Sequence, residues 1–284
     1  MSETPLFIPA IEAHALPARR IDQTFEIRVM QPLLRRGETT RFPVLYLTDA
    51  NAHFGMTSAI AQQLQLAGEV GRFILVGIGY PGDHALVGEL LRRRDLIPAR
   101  RRKLSEVTLA RRVAGVLQPA QEKVGEADNF IAFIREQLIP FVNERFSTAP
   151  EARGYAGHSL GGGLGAHALL AHPDLFDRCI LASPSLTFDG DEYLLDEARE
   201  FAAASRLRAR VFIGVGEEEE NSTVASIAKA RFVSSARRLA EILRSSAGGS
   251  TDLYLRIYAG ETHSSVWPFA FTHGLRRLFP PEQH

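Results

Sequence analysis

Seven short apolar runs, rich in β-branched residues and mostly continuous rather than alternating, constrain this chain more than any other feature. They are Phe25–Met30, Val44–Thr48, Phe73–Tyr80, Gly154–Ala156, Cys179–Ala182, Val211–Val215 and Leu253–Tyr258. A strand with one wet face alternates polar and apolar residues; a run without alternation needs cover on both faces. Between the runs, helical patterns fall near Thr57–Leu66, Leu160–Ala171, Asp191–Ser205, Thr223–Ser245 and Val266–Leu278. Asp128 is placed to N-cap a further helix carrying Phe130, Ile131, Ile134, Leu138, Phe141 and Val142, which Pro140 should kink or interrupt. Strand and helix in alternation predict an α/β fold with a mostly parallel central sheet and helices on both faces. A length of 284 residues fits one such domain over 1–284, with insertions.

One segment departs from the alternation. From about 81 to 125 there is no clear strand, and Arg92, Arg93, Arg94, Arg100, Arg101, Arg102, Lys103, Arg111 and Arg112 far outnumber Asp83, Glu89, Asp95 and Glu106. Two readings stay open: a solvated surface insertion, or a basic cap over a pocket that favours anionic ligands.

Charge over the whole chain, and the lengths of its apolar stretches, exclude several classes. Lys+Arg and Asp+Glu are both 33, so the net charge is zero, and no basic excess is present to neutralise nucleic-acid phosphates. The longest apolar stretch, Phe73–Tyr80, is too short to cross a bilayer. Met1–Ala15 has no basic segment leading into an apolar one, so no secretory signal is visible. Cys179 is the single cysteine, which excludes an intrachain disulfide and a multi-cysteine metal site. The expectation is a cytoplasmic protein with no membrane or nucleic-acid partner. No metal motif, P-loop or dinucleotide fingerprint occurs, so no cofactor is expected.

The chemistry concentrates at Gly157-His158-Ser159-Leu160-Gly161, a G-x-S-x-G pentapeptide between a short strand and a helix rich in small residues. Ser159 must sit on a tight strand-to-helix turn. Glycines two residues to either side remove side chains that would clash there, and Gly162, Gly163, Gly165 and Ala166 let the helix pack close to the sheet. The start of that helix aims backbone N–H groups at a developing oxyanion, with Leu160 as the expected donor. A serine hydroxyl is a weak nucleophile and needs a base. His263 follows the last strand directly and precedes the last helix, which is where a base belongs; His273, His167 and His172 are placed less well, and the ring of His158 should point away from the reaction. The acid that orients the imidazole should follow the preceding strand. There Glu217, Glu218, Glu219 and Glu220 stand in a row; like charges cannot all turn inward, and Glu219 is the first choice with Glu220 second. A second oxyanion donor should come from the loop after Val44–Thr48, where the N–H of Ala50 or Asn51 is the candidate.

Taken together these residues resemble the putative-esterase branch of the α/β-hydrolase superfamily, which includes esterase D-like proteins, ferric-siderophore esterases and mycolyltransferase-like relatives. The matching stretches are Pro43–Asp49, Val76–Pro81, Arg94–Pro98, Ala127–Phe130, Tyr155–Gly162, His172–Phe176, Ser183–Ser185 and Gly260–Pro268, spread over nearly the whole chain. The resemblance implies an α/β-hydrolase fold, Ser159 as nucleophile, His263 as base and support for Glu219. The family often has glycine where this chain has Ala50, and Asn51 is the second oxyanion donor expected. Some relatives are thought to use a Ser–His dyad.

The function expected is a serine esterase that hydrolyses a small-molecule carboxylic ester through an acyl-enzyme. Ferric triscatecholate siderophores are anionic and would suit a basic insertion. Thioester hydrolysis or acyl transfer on the same site, and a non-catalytic binding protein on a hydrolase scaffold, are the alternatives. Activity should fall with acid, because a protonated His263 cannot accept a proton.

Overall fold

The computed structural model describes residues 11–33, 39–82, 85–99, 124–187, 191–205, 207–246 and 252–281, with backbone only for 85–90. Eight strands form one sheet in the order β1-β2-β4-β3-β5-β6-β7-β8. They are β1 Ile11–Pro17, β2 Thr24–Met30, β3 Phe42–Leu47, β4 Ile74–Gly79, β5 Thr148–His158, β6 Arg178–Ala182, β7 Arg210–Gly216 and β8 Leu253–Tyr258. The first three neighbours pair antiparallel, β1 with β2 and β2 with β4. From β4 through β8 every pairing is parallel. β3, β4, β6 and β7 are buried along almost their whole length, which is why those runs read as continuous apolar sequence. β1 is mostly exposed and carries His14 and Glu12, so no apolar run announced it.

Among the described residues there are nine α-helices: α1 Ala50–Leu66, α2 Ala85–Leu96, α3 Ala127–Phe133, α4 Ile139–Arg145, α5 Leu160–Ala171, α6 Tyr193–Ala204, α7 Ala225–Ala230, α8 Phe232–Ser245 and α9 Val266–Leu278. Two apolar clusters lie on the two sides of the sheet. One joins Tyr46, Val76 and Tyr155 to Phe130, Leu164, Leu194 and Leu239. The other joins Leu45, Leu75 and Ile180 to Phe54, Trp267, Phe271 and Leu275.

Three local expectations are corrected. α1 begins at Ala50, not near Thr57, so the stretch expected to be an oxyanion loop is the first turn of a helix. The single helix expected over Thr223–Ser245 breaks at Arg231, which takes a left-handed φ of 51°. Asp128 is not an N-cap: Glu126 stands there, and the Asp128 carboxylate instead meets His167 Nε2 at 2.9 Å. At Pro140 the helix is locally interrupted, as expected. A π-helical segment, Ile134–Leu138, joins α3 to α4, and Pro140 sits in the first turn of α4. The wider turn accommodates the missing proline N–H.

The basic insertion is described only in part. Arg100–Lys103, Arg111 and Arg112 lie outside the described residues. Within them, Arg94 is buried and paired through Nε and Nη2 to Asp95 at 2.7 and 2.9 Å, and Asp95 also accepts from Tyr80 Oη at 2.8 Å. Arg92 is paired to Asp49. These two arginines are neutralised by neighbours and do not form a bare cationic face.

Candidate active site

The parallel strands end on one edge, and the turns leaving β3, β5, β6, β7 and β8 bring the candidate residues together there. Ser159 follows β5 with φ 58° and ψ −116°, a left-handed φ that a non-glycine residue adopts at a cost of about 1–3 kcal/mol. Three backbone bonds hold it. Its N–H donates to Ala182 O, and its carbonyl accepts from Gly163 and Ser185. The flanking glycines serve the close approach expected of them: a Cβ on Gly157 would lie 2.5 Å from the Gly161 backbone, and one on Gly161 would lie 2.5 Å from Thr48 Oγ1.

His263 comes from the loop between β8 and α9. Its Nε2 is 3.0 Å from Ser159 Oγ and its Nδ1 is 2.7 Å from Glu219 Oε2. A carboxylate can only accept, so the proton sits on Nδ1 and Nε2 presents a lone pair to the serine hydroxyl. Of the four glutamates, Glu219 alone is fully buried. Its Oε1 accepts from the Gly216 N–H and from Ser183 Oγ, each at 2.6 Å, so the buried carboxylate is held by three donors. Glu220 points elsewhere. It accepts from the Val233 and Ser234 N–H groups at the start of α8 and from Ser234 Oγ. Although burial acts against it, those bonds and Arg231 hold its carboxyl below the usual glutamate range.

Leu160 opens α5, and Ala50 and Asn51 open α1. As first-turn residues their N–H groups have no carbonyl one turn back to bond. The Asn51 side chain is committed to the end of β4, donating through Nδ2 to Tyr80 O at 2.8 Å and accepting from the Tyr80 N–H at 2.7 Å.

Several residues at the site were not read from sequence. The expectation that His158 points away is overturned: its ring centroid lies 4.6 Å from that of His263. Phe232 stacks on His263, also at 4.6 Å. His158 further touches His53 and Trp267. Burial, with His263, His53 and Arg92 close by, depresses His158 well below the ordinary histidine value, so it is neutral. Nothing in the sequence marks Phe232, which comes from the start of α8. Ser183 was visible only as part of a matching stretch. His167, His172 and His273 stand outside the site: His167 binds Glu197 and Asp128, His172 follows the end of α5, and His273 meets Tyr258 Oη.

A mostly parallel sheet with a serine on the strained turn into a buried helix, and with histidine and glutamate carried by later strand ends, defines the α/β-hydrolase class. The chain belongs to the Putative esterase family, whose model matches residues 18–278, and it is a hydrolase acting on esters. It is 29% identical to the ferri-bacillibactin esterase BesA of Bacillus subtilis over 282 residues, covering 97% of this chain and 91% of that one. It is also 29% identical to the siderophore triacetylfusarinine C esterase of Aspergillus fumigatus, covering 97% and 95%. In fold it is similar to the siderophore hydrolase EstA of Aspergillus nidulans, with a TM-score of 0.78 at 23% identity and 97% coverage of both chains. Among the described residues no helix is long and apolar enough to cross a membrane.

Proposed function

We propose that the chain is a cytoplasmic serine esterase that hydrolyses siderophore-type or similar small-molecule esters through an acyl-enzyme on Ser159. The observation that carries this reading is the continuous hydrogen-bonded chain Ser159–His263–Glu219, closed at 3.0 and 2.7 Å. Ser159 Oγ attacks the ester carbonyl carbon while His263 Nε2 takes its proton. Glu219 holds the Nδ1 proton and stabilises the imidazolium. The carbonyl oxygen, now negative, is received by the N–H groups of Leu160 and Asn51. Collapse expels the alcohol, which takes the proton from His263. Water then attacks the acyl carbon as it loses a proton to the same nitrogen; the acyl–Oγ bond breaks, His263 returns that proton to Ser159 Oγ, and the acid is released.

The substrate class is proposed on the support of two relatives named as esterases of siderophores. Preference for an anionic ester is part of the proposal, but the paired Arg92 and Arg94 cannot be its main source. One hydrolase domain over 1–284 with 81–125 as a cap-like insertion is part of the proposal; the contact of Arg92 with Asp49 supports placing that arginine beside the site.

The test is hydrolysis of p-nitrophenyl acetate, butyrate and octanoate, and of a ferric triscatecholate trilactone, by the wild type and by Ser159→Ala. Loss of about 10⁶ in kcat is expected for the variant. Retained activity would remove Ser159 from the mechanism.

A further inference from the structure

Aspartate is among the preferred residues for capping a helix. Its carboxylate usually folds back to accept from the second or third N–H of the helix it begins. Asp49 stands at the N-cap of α1 and makes no such bond. Its backbone is left-handed, with φ 57° and ψ 38°, and its carbonyl accepts from Ala52 and His53, each at 3.0 Å. The carboxylate is turned away and gripped from both sides by one guanidinium: Arg92 Nε donates to Oδ1 at 2.7 Å and Nη2 to Oδ2 at 2.9 Å. The pair is largely buried, the side chains being 15% and 7% exposed. The two N–H groups that the carboxylate could have covered at the start of α1 include that of Asn51, the candidate oxyanion donor.

The position of this carboxylate matters as much as its bonding. A Cβ on Gly161 would lie 3.0 Å from Asp49 Oδ2, so the acid sits against the start of α5, beside Leu160 and Ser159. The parallel register that pairs Leu47 with Ala156 carries Asp49 alongside the turn into Ser159. An unpaired negative charge there would oppose an oxyanion forming on the same backbone.

We propose, resting on the serine-esterase reading, that Arg92 is a positioning residue for the oxyanion site. Its bidentate grip holds the Asp49 carboxylate off the first turn of α1, keeps the Asn51 N–H open for the substrate oxygen, and cancels a negative charge that would repel it. The arginine run, for which the sequence left open a solvated insertion or a cap for anionic ligands, thus contributes a residue that acts through the protein's own aspartate.

The experiment compares kcat and KM of wild type, Arg92→Gln, Arg92→Lys, Asp49→Asn/Arg92→Gln and Ser159→Ala on a neutral and an anionic p-nitrophenyl ester. All are assayed at a temperature where circular dichroism shows them folded. Arg92→Gln is expected to lose about 10²-fold in kcat on both esters with little change in KM, the order of one lost oxyanion donor. Arg92→Lys keeps a charge opposite Asp49 without the fork and should lose less, within about tenfold. The double variant removes both charges of the pair and so guards against a folding failure. The amide it introduces at position 49, released from the clamp, caps the first turn and keeps kcat about tenfold or more below wild type. Wild-type kcat in the double variant would make the pair purely structural and overturn the proposal. So would a rise in KM confined to the anionic ester, which would make Arg92 a substrate ligand. Retained hydrolysis in Ser159→Ala would instead overturn the serine-esterase reading beneath it.

Discussion

Replacing Glu219 by glutamine changes one atom and tests the tautomer of His263. The side chain is fully buried and both oxygens are in use. Oε1 accepts from the Gly216 N–H and Ser183 Oγ at 2.6 Å, and Oε2 accepts from His263 Nδ1 at 2.7 Å. A backbone N–H cannot reverse its role, so the amide oxygen of the substituted side chain must take the Oε1 place. That leaves its NH₂ facing Nδ1. Two donors cannot share that contact, and the imidazole moves its proton to Nε2, where an N–H now faces Ser159 Oγ. The nitrogen that should accept the serine proton is then blocked. The serine-protease triad gives the scale in the same circumstance: acid to amide lowers kcat by about 10⁴ with geometry intact, or about 5.5 kcal/mol of transition-state stabilisation. Fold stability should change little, because the Gly216 bond survives. The assay is steady-state hydrolysis of p-nitrophenyl acetate, with active-site titration to exclude wild-type carry-over and a thermal melt alongside. A Glu219→Gln enzyme within tenfold of wild type, melting normally, would refute the tautomer argument and leave Ser159 and His263 working as a dyad.

Three further outcomes follow from the same geometry. Burial alone would lower His167, but its bonds to Glu197 and Asp128 outweigh that and raise it; the stability it contributes is therefore full below the ordinary histidine value of 6.5 and is lost as pH rises through the raised one. Urea midpoints of wild type and His167→Gln should accordingly converge on the alkaline side. His158 has the opposite sign: its lowered value makes its neutral burial stabilising above 6.5 and increasingly costly as pH falls below it, so His158→Gln should flatten the acid limb of the wild-type stability curve. Gly157→Ala drives a methyl into the Gly161 backbone and should cost about 1–3 kcal/mol together with most of the activity, read by denaturant melts and ester hydrolysis.

How far the sequence reached depends on the kind of interaction that decides each feature. Strands buried on both faces, such as β4 and β7, leave a mark in one-dimensional order, and the expected Leu253–Tyr258, Leu160–Ala171 and Val266–Leu278 coincide with β8, α5 and α9 to the residue. The G-x-S-x-G spacing was legible because steric exclusion removes the Cβ atoms at Gly157 and Gly161, and an absent side chain is visible as a letter. His263 was legible from its place after the last strand. Glu219 could be favoured but not separated from its neighbours, because which carboxylate turns inward depends on the Gly216 N–H and on Ser183, 36 residues away in sequence. β1 was missed for want of burial. The roles of Arg92 and Arg94 were misread for a related reason: their partners, Asp49 and Asp95, turn a run of like charges into separate buried pairs, and no count of charges reveals pairing.

The left-handed residues make the same point about strain. Asp49, Ser159 and Ser183 all take positive φ without being glycine, and they stand at the ends of β3, β5 and β6, three adjacent strands. Glycine in any of these places would have advertised the turn and removed the strain, together with the side chain. At each place the side chain is the reason the strain is kept. Ser159 supplies the candidate nucleophile, Ser183 donates to Glu219, and Asp49 anchors the guanidinium of Arg92. A residue whose side chain is needed there must accept an unfavourable backbone, and the surrounding bonds must over-determine it. For Ser159 these are the three bonds to Ala182, Gly163 and Ser185; for Ser183, the N–H to Gly214 O and the hydroxyl to Glu219; for Asp49, two helix N–H groups and a bidentate arginine. Strain at three neighbouring strand ends, each tied to the next strand or to the insertion, marks the edge of the sheet that carries the candidate site, and two of the three lie outside the serine motif.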